Sequence, residues 1–180
     1  MKKRHSIFLA LSFLVFSAFT TYDYITWSIA KDYKIRFSGS GAQGTFDNLQ
    51  GEVRFNQNDV SQSMMDVSVD VNTIDTGNSL KDKHARSDDW FDAEQFPKIK
   101  FRSTTFAKKV NGYSVTGDLT LHGTTKRVTI PFTFEITAQG GTFVGGLTIN
   151  REDYGIEGPW LRGAFVGEEF EIDLRVPVKK

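Results

Sequence analysis

Hydrophobic positions repeat with period two over most of this chain, the spacing of strands with one buried face. Val67, Val69 and Val71 alternate with Ser68, Asp70 and Asn72, and Ile99 and Phe101 alternate with Lys100 and Arg102. Val128, Ile130, Phe132, Phe134 and Ile136 form a longer run. Phe143, Gly145, Leu147 and Ile149 form another, and Phe170, Ile172, Leu174 and Val176 close the chain. Shorter alternations hold Trp27 with Ile29, Ile35 with Phe37, and Phe46, Leu49, Val53 and Phe55, with Gly51 at a bulge position. Tyr113 to His122 puts Leu119 and Leu121 on one face. Asn111-Gly112, His122-Gly123 and Gln139-Gly140-Gly141 separate neighbouring runs as hairpin turns do. One stretch departs from the pattern. Asn78 to Glu94 is polar and charged; Asn78 or Ser79 can cap a short helix there, and Pro97 ends anything helical. The pattern predicts an all-β antiparallel meander of about eight strands with one short helix or loop insertion, closed into a barrel or folded into a sandwich so that no long edge is left open.

The first residues are of another kind. Lys2, Lys3 and Arg4 precede an apolar run from Ile7 to Phe16, followed by small and polar residues. This is the arrangement of a secretory signal peptide, too short to span a bilayer. The expected division is a signal peptide over 1–20 and one β domain over 21–180, exported to the periplasm or secreted, with no transmembrane segment in the mature chain. Composition then removes several function classes. With 22 basic and 22 acidic residues the chain has no excess positive field to hold nucleic acid. The absence of cysteine excludes disulfides, thiolate metal sites and a Cys nucleophile, and three histidines leave little for an all-His metal site.

Candidate chemistry is sparse. Asp82, His84, Arg86, Asp88 and Asp89 cluster, but their spacing matches no metal motif and reads as a salt-bridged surface segment. No GxSxG or phosphate-binding loop is present. No catalytic residue, metal ligand or cofactor is expected. The distinctive feature is the 16 Phe, many of them at inward positions. Phe37, Phe46, Phe55, Phe101, Phe132, Phe134 and Leu147 can either fill a barrel or line a hollow one, and composition does not separate the two.

Several segments, taken in order, carry a family resemblance. Gly51-Glu52-Val53-Arg54-Phe55 is similar to G-x-I-x-F, and Val69 to Gly77 resembles a hydrophobic-D-x-x-S-I-D-T-G segment. Lys81 to Asp92 resembles R-D-x-H-L-R-S-x-D-F-F-D, with Ala85 in place of the usual Leu and Trp90 in place of a smaller aromatic. Phe96-Pro97-Lys98-Ile99-Lys100-Phe101 matches F-P-x-I-x-F. Gly117 to Lys126 is similar to G-x-L-T-L-H-G-V-T-K, and Arg151 to Ile156 resembles R-x-D-F-G-I. Over Trp27 to Val178 the chain resembles the YceI family of exported lipid-binding proteins. The resemblance implies an extended, lipocalin-like antiparallel barrel that carries a long-chain lipid of isoprenoid or fatty-acyl type, with no enzymatic activity. It turns the inward set into tunnel lining: Phe37, Phe46, Phe55, Val69, Val71, Phe101, Leu119, Leu121, Phe132, Phe134 and Leu147. Trp90 and Phe91 become gate candidates, and Trp160 an aromatic lip at the mouth. Asp82, His84, Arg86 and Asp92 would hold the long loop against the mouth, while His122 and Asp118 would set a hairpin. The alternative is a solid barrel that binds another envelope protein; in either case an exposed edge or aromatic mouth could support a homodimer.

Overall fold

A sheet of antiparallel hairpins has two raw edges, and this chain removes them by closing the sheet on itself. The computed structural model describes residues 25–158 and 166–180. The expected signal peptide over 1–20 and the expected lip residue Trp160 lie outside the described residues. Ten strands form one sheet: β1 (Thr26–Ile29), β2 (Lys34–Gly39), β3 (Ala42–Phe46), β4 (Gln50–Arg54), β5 (Met64–Asp70), β6 (Lys98–Lys109), β7 (Gly112–Leu121), β8 (Thr124–Thr137), β9 (Gly140–Asn150) and β10 (Glu169–Lys179). From β5 to β10 each strand pairs with the next as a simple meander. Closure is the work of β10. One of its edges pairs with β9 along its whole length. The other takes β2 over Phe170–Arg175 and then β1 at Val178 and Lys179. β1 and β2 are therefore two lengths of one interrupted line. β4 pairs with β1 and β3 with β2, forming a second such line, which β5 continues. The result is a closed antiparallel barrel of eight lines, as the alternation predicts.

The expected turns are present, two of them shifted by a residue. His122 and Gly123 both have positive φ, 49° and 73°, and join Leu121 to Thr124 directly, the geometry of a type I′ hairpin. The β6–β7 turn sits at Val110-Asn111 and the β8–β9 turn at Ala138-Gln139, one residue earlier than the glycines suggest. Gly51 has φ 135°, and a Cβ there would lie 2.1 Å from the Asp66 carbonyl oxygen, so β4 can pass β5 only with glycine at this place. The polar segment holds α1 (Ser79–Ala85), capped by the Asn78 side chain on the amides of Leu80 and Lys81.

Antiparallel connectivity sorts the loops to two ends. The turns at 110–111 and 138–139 share one end with the β4–β5 connection. The β2–β3 tip, α1, the His122-Gly123 turn and the β9–β10 connection share the other. The first end is plugged by aromatic rings. Phe55, 1 % exposed, packs within 5.0–6.1 Å of Phe106, Tyr113, Phe132, Phe134 and Phe143, mostly edge to face. Trp27 stands edge-on to Phe134 and donates from Nε1 to the Phe55 carbonyl at 2.9 Å. Two expected lining residues, Phe55 and Phe134, thus belong to this plug and do not line the interior space. Their alternation is inward, as expected, but at this end the rings fill the barrel. Val71 also leaves the expected set. β5 ends at Asp70, whose carboxylate caps the Asn72 amide, and Val71 turns into a short 3-10 segment where it is 2 % exposed.

Phe55 is the largest fully buried side chain of the barrel, so Phe55→Ala should cost about 3–5 kcal/mol of unfolding free energy in urea titration. A cost below about 1 kcal/mol, within the range of surface changes and small trims, would show that the rings do not close this end.

Candidate functional site

Above the plug the inward side chains become smaller and the barrel is no longer filled. An eight-stranded ring is just wide enough for side chains to meet across it or for one slender ligand to lie inside. Met65, Val67 and Val69 of β5, Leu119 of β7, Leu147 and Ile149 of β9, and Ile172 and Leu174 of β10 all point inward, yet they are half-buried instead of fully covered. In a solid core such positions would be sealed. They border a cavity of about 880 Å³, at the upper end of the range for small-molecule sites. Phe37 and Phe101 border it too, and the ring of each reaches over an inward glycine. A Cβ on Gly44 would fall 2.7 Å from the Phe37 ring, and one on Gly117 2.6 Å from the Phe101 ring. Without those glycines the rings would project into the space.

Most of the expected lining residues are brought together here. Phe37 and Phe46 come from the β2–β3 hairpin, Val69 from β5 and Phe101 from β6. Leu119 and Leu121 come from β7, Phe132 from β8 and Leu147 from β9. Trp90 and Phe91 border the cavity at the α1 end, with Phe91 edge-on to Phe46 at 5.8 Å. Sequence reasoning missed partners whose signal was present: Val67, Ile99, Phe143, Ile172 and Leu174 share the same alternation and also face the space. Leu80 carried no such signal. It lies on α1, is 78 % exposed and still borders the cavity, which places the opening beside it. Across that opening stands the tip of the β2–β3 hairpin, with Gly39, Gly41 and Ala42. Among the described residues the far side of β3 is bridged only at Thr45, to Asp75.

Polar groups brace this end. Asp82 accepts from the Thr76 amide at 2.8 Å and the Thr76 hydroxyl at 2.7 Å, and Arg86 donates to the Asn72 carbonyl at 3.3 Å. Together they tie α1 back to the segment after β5. Asp92, with φ 43°, accepts from Gln95 and closes its own turn instead of reaching the barrel wall. His122 Nδ1 lies 3.2 Å from the Tyr154 carbonyl, and its ring packs on Phe96 at 4.7 Å, so the hairpin supports the loop above it. Asp118 pairs with Arg127 at 2.7 Å across the β7–β8 ladder. Arg151, with a side chain 11 % exposed, is a central brace. Its guanidinium donates to the carbonyls of Ile156, Glu157 (2.6 Å) and Gly167 (3.1 Å), and it lies 5.6 Å from the Trp90 ring. One donor set thereby holds both stems of the β9–β10 connection. Among the described residues no group of three or more His, Asp or Glu is placed to hold a metal ion.

The described residues thus form a closed β-barrel around an apolar cavity with a single polar rim. Comparison with known proteins places it more narrowly. Residues 25–178 match the YceI-like domain. A UPF0312 protein of Shewanella denitrificans is 34 % identical over 169 residues, spanning 86 % of this chain and 88 % of the relative. Burkholderia cenocepacia BcnA has the same fold with a TM-score of 0.79 at 26 % identity, over 85 % of this chain and 100 % of that one. A polyisoprenoid binding domain from Saccharophagus degradans, implicated in plant cell wall breakdown, aligns with a TM-score of 0.64 over 87 % of this chain and 99 % of its own; at 15 % identity that likeness is one of fold. The chain belongs to the YceI-like family.

The Thr76 hydroxyl and then the Thr76 amide hold the Asp82 carboxyl below its ordinary value of 3.8. Because the folded value is the lower one, this contact adds stability above the ordinary value and loses it as pH falls through the lowered one. Asp82→Asn should therefore speed hydrogen exchange at the Thr76 amide at neutral pH and flatten its acid dependence. Unchanged exchange at Thr76 would show that the carboxylate does not anchor α1.

Proposed function

We propose that this protein is an exported carrier of a long-chain amphiphile, isoprenoid or fatty-acyl, whose apolar tail lies in the barrel above the aromatic plug. The observation that carries the reading is the cavity itself: about 880 Å³, walled by aliphatic and aromatic side chains and stopped at one end. A tail leaving water for such walls gains about 0.8 kcal/mol per CH₂, so ten methylenes give roughly 8 kcal/mol before ordering costs are subtracted. No polar contact to the tail is needed for useful affinity. The polar groups gather at the other end, where a head group would sit and fix the direction of entry. The fold shared with a polyisoprenoid binding domain supports the same class of ligand. Export rests on the basic start and apolar run of Met1 to Thr20. A binder of this kind needs no catalytic step, and Asp82, Arg86 and Arg151 at the opening serve as braces. The half-buried inward aliphatics speak against the rival reading of a solid barrel that only presents its outer face.

Filling the space is the test. Leu147→Trp and Leu119→Trp each put an indole into the cavity, from β9 and β7, two strands apart in the wall. Displacement of a neutral fluorescent probe such as N-phenylnaphthylamine by long-chain alcohols should weaken at least tenfold in both, with the β circular-dichroism signature retained. Folded variants that bind as the wild type does would overturn the proposal.

A further inference from the structure

The walls of the cavity are apolar, but its charged residues are unevenly placed. Arg36, Lys81, His84 and Arg151 border it, and among the described residues no Asp or Glu does, in a chain whose basic and acidic residues are equal in number. All four lie toward the end that carries α1; none is near the plug. Two of them are not available to a head group. Arg36 is exposed between the inward Ile35 and Phe37, so it points to the barrel's outer surface, in register with Asp173. The Arg151 guanidinium is spent on the carbonyls of the β9–β10 stems. The remaining two share one face of α1. Leu80, Lys81, His84 and Ala85 border the cavity, whereas Asp82 turns to Thr76 and Lys83 is exposed. Residues three apart on a helix are neighbours, so Lys81 and His84 stand side by side at the opening.

Both are short of partners. The Lys81 ammonium makes no ion pair or hydrogen bond among the described residues. His84 is partly exposed as a side chain, yet its Nε2 is covered and lacks a hydrogen bond, with Asp89 Oδ2 3.9 Å away. A covered ring nitrogen without a partner is a group whose partner is missing. An oxygen-rich head seated beside Lys81 supplies it. Of the nearby carboxylates, Asp82 is turned back to Thr76 and Glu152 sits against Arg151, while Asp89 stands 3.9 Å from His84 Nε2, beyond hydrogen-bond reach.

We infer that the amphiphile has an anionic head, a carboxylate or a phosphate, and that Lys81 and His84 of α1 are the residues that select it. This rests on the carrier reading above, with the tail in the barrel and the head at α1. The anion gains from Lys81 where apolar walls reduce the screening by water, while a neutral head of the same size gains nothing from that charge.

The experiment compares ligands that share one tail. Hexadecanoate, hexadecyl phosphate and hexadecanol are titrated against N-phenylnaphthylamine on the wild type, Lys81→Gln, His84→Leu and, as a control, Lys83→Gln. At low salt the wild type should bind one or both anions at least about threefold more tightly than the alcohol. Which anion leads separates the carboxylate from the phosphate head. Lys81→Gln and His84→Leu should each reduce that preference and leave hexadecanol unchanged; Lys83→Gln should keep it. Inorganic phosphate alone should displace nothing, since without a tail the head has no anchorage. A wild type that binds hexadecanol as tightly as both anions overturns the inference while the carrier reading stands, as does an anion preference that survives Lys81→Gln. A wild type that binds none of the three overturns the carrier reading, and the inference with it.

Discussion

The hydrogen-bonded closure of β10 onto both β1 and β2 is the constraint from which the interior follows. A ladder fixes the spacing of neighbouring lines, so a ring of eight has a set girth whatever side chains point inward. The wall cannot draw in to fill a void without breaking backbone hydrogen bonds. What the interior holds is then decided by side-chain size at each level. At the plugged end the inward residues are Trp27, Phe55, Phe132, Phe134 and Phe143, and their rings meet across the barrel. Nearer α1 they are largely valine, leucine and isoleucine, which do not reach the opposite wall. Glycine works in the same direction, since Gly44 and Gly117 let the Phe37 and Phe101 rings lie along the wall instead of across it.

This gradation makes the cavity directional. Its floor is aromatic and sealed, its walls are aliphatic, and its polar groups are confined to the end where α1 and the β2–β3 tip leave a gap. An amphiphile is graded in the same sense, with a tail that leaves water and a head that does not. The braces at the opening serve that division. Asp82 and Arg86 tie α1 to the segment after β5, and Arg151 ties the stems of the β9–β10 connection, so these three groups are satisfied by protein, whereas the Lys81 ammonium and His84 Nε2 beside them are not. The fold itself is shared with a domain only 15 % identical in sequence.

Much of this was legible in the sequence because strand alternation is a local signal. The period-two runs at Val128–Ile136 and Phe170–Val176 gave β8 and β10, and His122-Gly123 gave a hairpin turn because both residues accept positive φ. Alternation states which face a residue takes, but not how far up the barrel it sits. That is why Phe55 and Phe134 were expected in the lining and lie in the plug: Phe55, just past β4, meets Phe134 of β8 at 5.0 Å only because the closed barrel brings these distant segments together. Val71 was misplaced for a local reason, the Asp70 side chain capping a turn where the alternation still read as strand. The place of α1 at the opening was not legible either. An exposed leucine in a polar segment reads as a surface residue until the tertiary fold sets it beside a cavity.

The central claim is that the barrel is hollow and holds one apolar chain. Native mass spectrometry of the full-length protein, expressed so that it is exported and purified without detergent, tests it most directly. The account predicts a mass exceeding that of the polypeptide by one long-chain lipid, released on denaturation and restored by adding back the extracted lipid. A polypeptide mass alone, with no saturable uptake of long-chain carboxylates, phosphates or alcohols, would contradict it.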